Sequence, residues 1–217
     1  MTKQETLRSA IRWEARVKAA TVRLPEMGGR GVLIPGGLIL TATHCIGWDG
    51  TAGLVLGDHH PVRVEAGDHS FRLGPWFADA VSDMAALGPL DNQVFPEDED
   101  AFDTWRAGIR PVQLSPWLPK TRRLTRSARP ESRPVWLLSL DGRWIRGKVV
   151  KYGVHVTPCA AIEPRKRIES GMSGGPVVDG RGRLIGVVSW GEEQGALPLA
   201  TLALPSWILK RGLKAGE

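Results

Sequence analysis

The residues best suited to chemistry lie in the stretch Glu169-Ser-Gly-Met-Ser-Gly-Gly-Pro-Val-Val-Asp179. Ser173 sits there in a glycine-dense turn, ahead of the short apolar run Pro176 to Val178. Acyl transfer needs an exposed hydroxyl beside backbone N–H groups that can hold a developing oxyanion. Glycines let the backbone turn that tightly and keep side chains out of the way. The N–H groups of Gly171 and Ser173 are the expected oxyanion donors. A serine hydroxyl is a weak nucleophile and needs a base in contact, and histidine suits that role because it titrates near neutrality.

Chain order selects the partners. Gly171-x-Ser173-x-Gly175 also fits the nucleophile elbow of α/β-hydrolases, but that fold places its histidine after the serine. Here His44, His59, His60, His69 and His155 all precede Ser173. No aspartate precedes His44, which disfavours the order Asp, His, Ser. The order His, Asp, Ser remains. His44 stands at the end of the apolar run Leu38-Ile-Leu-Thr-Ala-Thr, and Asp83 stands directly before Met-Ala-Ala-Leu87. A carboxylate there can be half buried at a strand start, fixing the tautomer of the imidazole and stabilising the imidazolium.

Together these segments resemble trypsin/chymotrypsin-like serine proteases. Thr41-Ala-Thr-His44-Cys45 is similar to their histidine motif, Asp83-Met-Ala-Ala-Leu87 to their aspartate motif, and Gly171 to Pro176 to their serine motif. Ser189-Trp190-Gly191 resembles the strand that lies beside bound substrate. The segment Ala200-Thr-Leu-Ala-Leu-Pro205 resembles the final strand of high-temperature-requirement-type proteases. The resemblance implies an all-β fold of two six-stranded antiparallel β-barrels. It implies a serine endopeptidase using Ser173, His44 and Asp83 through an acyl-enzyme, with a protein or peptide substrate and no cofactor. The competing reading is a protease-fold scaffold with a dead site.

Three departures from the family shape these expectations. Many secreted relatives carry an aspartate immediately before the nucleophile, where it pairs with the N-terminus released on activation; here that residue is Met172. Control then falls to a permanently formed site or to a regulatory protein partner. Six residues before Ser173, where trypsin selects basic substrates with an acid, stands Arg167. Arg167 or a neighbouring arginine is a candidate for the specificity pocket, favouring acidic or polar residues where the default is a small aliphatic preference, with Ser189, Trp190 and Gly191 along the substrate groove. Secreted relatives also bridge the cysteine beside the histidine to one about fifteen residues earlier, and no cysteine stands near Arg30.

Composition bounds the class. The chain has 217 residues, 42% of them hydrophobic, enough for a full core. Its formal charge is +6, much of it in the Arg-rich segment 120–133. No aromatic interleaving or nucleic-acid motif accompanies that segment, so nucleic acid is not the expected partner. Cys45 and Cys159 are the only cysteines and are expected as free thiols, which suits a reducing compartment. The N-terminal residues lack the apolar core of a signal peptide, and no run is long enough to span a membrane, so a cytoplasmic location is expected. His59, His60 and His69 match no metal-ligand spacing and read as solvated loop residues.

The elements that must position these groups follow from periodicity. Leu7, Ile11 and Ala15 share one face of an expected helix over 1–19, packed on the outside of the first barrel. Residues 20–110 are expected to form the first barrel and 111–205 the second, with a helix over 206–217 capped by Ser206. Asp91 to Arg110, with its acidic run, reads as an exposed loop or crossing. Asp141-Gly142 and Asp179-Gly180 mark hairpin turns.

Overall fold

The computed structural model describes residues 13–47, 61–80, 83–91, 93–115, 134–154, 158–164, 168–192 and 195–200. A helix, α1, runs over residues 13–19 and leads into β1 (Thr21–Leu24). The first closed barrel adds β2 (Gly29–Ile34), β3 (Leu38–Thr41), β4 (Val62–Ala66), β5 (His69–Asp79) and β6 (Met84–Gly88), in the order β1-β2-β3-β6-β5-β4. The second is made of β7 (Pro134–Leu138), β8 (Trp144–Val154), β9 (Pro158–Pro164), β10 (Pro176–Val178), β11 (Leu184–Glu192) and β12 (Gly195–Ala200), in the order β10-β11-β12-β9-β8-β7. Every strand pair within the barrels is antiparallel. The expected all-β architecture of two six-stranded barrels is therefore present. Closing each sheet removes the free edges that an open sheet would expose.

The apolar runs form the central strands. Leu38 to Leu40 and Met84 to Leu87 are buried along their whole length, as strands covered on both faces require. β3 and β6 pair directly, Ile39 opposite Leu87 and Thr41 opposite Ala85. That register sets the ends of the two strands side by side, which matters because His44 and Asp83 stand just beyond them.

Two readings of the sequence change. Residues Pro96–Ala107 form a helix, α2, rather than a loop. Pro96 opens it and Glu97, Asp98 and Glu99 occupy its first turn, where the helix dipole favours negative charge. Phe102 and Trp105 lie on one face and pack on Phe71 of β5, with ring centroids 5.3 and 5.7 Å away. The acidic run drew attention to solvent, while the two aromatics three residues apart carried the helical signal. Helix α1 also reaches further than expected, to the second barrel. Trp13 meets Trp136 of β7 and Trp144 of β8 edge-on, at 6.1 and 4.8 Å. Arg16 donates to the carbonyl of Gly182 at 2.9 Å. Strand β12 begins at Gly195, which pairs with Glu192 of β11. The C-terminal helix expected over 206–217, the basic segment 120–133, His59, His60 and His155 lie outside the described residues.

Gly182 makes the contact between α1 and the second barrel. Its φ is +67°, and a Cβ there would sit 2.6 Å from Cβ of Trp13. Gly142 has a similar φ of +76° with open space around it. Gly182→Ala should therefore destabilise by about 2–4 kcal/mol, a fall of roughly 5–15 °C in Tm. Gly142→Ala should show only the conformational part, about 1 kcal/mol. Thermal unfolding followed by circular dichroism compares the two; equal effects would mean that the Trp13 contact contributes nothing.

Candidate active site

His44 lies in a single 3-10 turn, Thr43–Ile46, which ends at Gly47 in the left-handed region. The turn starts as soon as β3 leaves the sheet, so the buried strand aims the imidazole outward. Asp83 precedes β6 and has a φ of 50°, the only positive φ among the described non-glycine residues. Such a conformation stores on the order of 1 kcal/mol or more and persists only where surroundings enforce it. Several groups do so here. The Asp83 carbonyl accepts the Thr43 N–H at 3.1 Å. One carboxylate oxygen accepts the backbone N–H of His44 at 3.0 Å, and the other lies 2.8 Å from His44 Nδ1.

A third donor reaches the same carboxylate. Ser189 Oγ donates to Asp83 Oδ2 across the barrel interface at 2.5 Å. The sequence reading placed Ser189 only along the substrate groove; its motif carried no sign of this contact, which depends on how the barrels dock. The carbonyl of the same residue accepts from Ser173 Oγ at 3.2 Å. Ser173, Ser189, Asp83 and His44 thus form one continuous chain of contacts. Among the described hydrogen bonds, the Ser173 hydroxyl is on the Ser189 carbonyl rather than on His44.

Electrostatics follows from this packing. The Asp83 hydrogen bond pushes the His44 pKa up to about 10 from an ordinary 6.5, helped by Cys45, while partial burial opposes the rise. Burial pushes the Asp83 carboxyl upward, but the bonds from the His44 ring, from Ser189 and from the His44 N–H together hold it below its ordinary value.

The turn around Ser173 is closed by its own backbone. Met172 N–H donates to Glu169, Gly175 N–H to Met172, and Gly174 N–H to Val188. The N–H groups of Gly171 and Ser173, between these, donate to nothing among the described residues. These are the two donors expected for an oxyanion. From the first barrel, the Arg30 N–H donates to the Ser173 carbonyl at 2.8 Å. Gly174, with φ +74°, is pressed so closely on this strand that a Cβ would overlap the Arg30 carbonyl. Met172 is fully buried among Val135, Leu137, Ile145, Val177, Ile185 and Val188. The turn is anchored by apolar packing where activated relatives are expected to use an ion pair.

Cys45 is a buried free thiol. Opposite it stands Gly29, where a Cβ would come within 2.6 Å of the Cys45 Cβ. Backbone fills the place at which the resemblance implies a second cysteine. No group of side chains among the described residues could hold a metal ion, and His69 is exposed. Trp190 and Gly191 continue β11 beyond Ser189. Arg167 lies outside the described residues.

Two measurements test these contacts. An NMR pH titration should place the His44 midpoint near 10, and Asp83→Asn should bring it down towards the ordinary value of about 6.5. The sign for stability follows: a raised imidazole pKa stabilises fully below about 6.5, and that contribution is lost as pH rises through about 10. In the second, Met172→Asp should lower stability by about 3–5 kcal/mol in denaturant unfolding at neutral pH. A loss below about 1 kcal/mol would show that the turn is not held by this packing.

The comparisons with known proteins agree with this geometry. A family model described as Trypsin matches residues 146–205, which run from β8 through the Ser173 turn to the end of β12 and beyond. No curated protein matches the chain. Among solved structures, the inactive form of the Rv3671c protease is 18% identical, with a TM-score of 0.58 over 93% of each chain. The active form of that protease, from M. tuberculosis, is also 18% identical, with a TM-score of 0.57 over 92% of this chain and 84% of that one. At that identity the likeness establishes the fold. The resemblance read from the motifs, the matched family model and the paired barrels thus coincide, and the chain has the two-barrel fold of trypsin-like serine proteases.

Proposed function

We propose that this protein is a serine endopeptidase that cleaves peptide bonds through an acyl-enzyme. One observation carries the reading: the run of contacts from Ser173 through Ser189 and Asp83 to His44, which spans the two barrels. Beside it are the two uncommitted N–H groups of Gly171 and Ser173.

In this reading, Ser173 Oγ leaves the Ser189 carbonyl by rotation about one side-chain bond and attacks the substrate carbonyl carbon. His44, in its neutral form, takes the hydroxyl proton as the C–O bond forms. Asp83 accepts from Nδ1 throughout, so the other ring nitrogen faces the nucleophile and the imidazolium is stabilised. The carbonyl oxygen becomes an oxyanion between the Gly171 and Ser173 N–H groups, each donor contributing about 3 kcal/mol to the barrier reduction. His44 then gives its proton to the departing amine, and the acyl-enzyme forms as the C–N bond breaks. Water repeats the sequence, with His44 as base, and releases the acid. Because the Asp83 contact favours the imidazolium up to about pH 10, activity should rise from neutral pH into the alkaline range.

The packed Met172 supports a turn that needs no released N-terminus for its formation. Arg167, on the resemblance alone, would favour acidic or polar residues on the acyl side of the cleaved bond.

A fluorophosphonate probe provides the test. Wild-type protein should label at one site per chain, and Ser173→Ala should not label while retaining its fold. A folded wild type that does not label would point to a protease-fold scaffold with a dead site.

A further inference from the structure

Arg30 makes more contacts to the nucleophile's surroundings than its place on a barrel strand requires. It stands on β2, opposite Arg23 of β1, with its side chain turned towards the second barrel. Its guanidinium donates to three consecutive carbonyls, those of Leu138 at 3.2 Å, Ser139 at 3.0 Å and Leu140 at 3.1 Å. No carboxylate pairs with it among the described residues. A half-buried cation held by carbonyls alone is an expensive arrangement for stability, because neutral acceptors recover only part of its lost hydration. Burial and, secondarily, the charge of Arg23 pull its pKa below the ordinary value.

The acceptors belong to a preformed corner between β7 and β8. Ser139 N–H donates to the Arg143 carbonyl and Gly142 N–H to the Ser139 carbonyl, at 2.8 and 3.1 Å. The Leu140 side chain is 42% exposed. It lies against Gly171, with its Cδ2 3.5 Å from where a Cβ on that glycine would be. Arg30 therefore holds the corner that backs one oxyanion donor. Its backbone N–H holds the carbonyl of Ser173, the other donor's residue, at 2.8 Å. Its own carbonyl accepts from Thr41 Oγ1 at 2.6 Å, three residues before His44 on the chain. A single residue thus touches the strand that delivers the base, the nucleophile and the corner behind Gly171.

We infer that Arg30 is a positioning residue for catalysis: its three-carbonyl grip clasps the two barrels together at the oxyanion turn and sets Gly171 against Ser173. The inference rests on the peptidase reading above. A lysine cannot reproduce the grip, because one ammonium lacks the planar fork that reaches three carbonyls together. A methionine keeps an apolar stem of similar reach and removes the fork. Neither change disturbs the backbone bond to Ser173, so each tests the side chain alone.

Fluorophosphonate inactivation kinetics read the effect without knowledge of the substrate, since the maximal inactivation rate and the probe's binding constant separate. Arg30→Met should lower the maximal rate per folded molecule by about 10- to 100-fold, with the binding constant changed by less than about threefold. Arg30→Lys should fall between Arg30→Met and wild type. Circular dichroism at the assay temperature gives the folded fraction. Rates per folded molecule within about twofold of wild type would overturn the clasp and leave the peptidase reading standing. If Arg30→Met does not fold, Arg30→Lys decides alone by the same criterion. A folded wild type that fails to label would overturn both.

Discussion

The structure depends on the docking of two barrels that each hold half of the candidate site. His44 and Asp83 belong to the first, Ser173 and the N–H groups of Gly171 and Ser173 to the second. Two of the polar contacts across the join are the Ser189 hydroxyl on Asp83 and the Arg30 N–H on the Ser173 carbonyl. Both are polar bonds at partly buried positions, where they are stronger than in solvent and where misalignment would leave groups unpaired. Such contacts favour one docking geometry over near alternatives, which a purely apolar interface would tolerate.

The neighbourhood of Ser173 shows how strain and packing offset each other. Asp83 adopts a conformation disfavoured for a side-chain-bearing residue. It is kept there by its backbone and carboxylate bonds to the turn carrying His44. Gly174 admits the first barrel to within van der Waals contact of the nucleophile turn. Met172 places a fully buried side chain in the apolar core of the second barrel. Burial of a side chain of that size contributes about 1.5–3 kcal/mol. The Ser173 turn is thus packed against the apolar core of the second barrel.

Much of the fold was legible because its signals are local. The apolar runs beside His44, Asp83 and Ser173 became β3, β6 and β10, and the turn residues Asp141-Gly142 and Asp179-Gly180 fell between paired strands. Helix α2 was misread because its polar first turn outweighed Phe102 and Trp105, whose burial against Phe71 becomes visible only once β5 is placed. The reach of α1 to Trp136 and Trp144 was hidden for the same reason: the pattern shows which face is apolar, and not which surface covers it.

By itself the sequence determined which residues can do chemistry and in what order they occur. Side-chain type and the turns around His44, Asp83 and Ser173 are properties of short segments, and short-range physics is enough to read them. Tertiary structure alone decided that Ser189 faces Asp83, that Gly29 backs Cys45, and that Arg30 reaches the corner at Leu138 to Leu140. Those pairings join residues far apart in the chain. Their partners are selected by the register of closed sheets and by the docking of one barrel on the other, which no local pattern encodes.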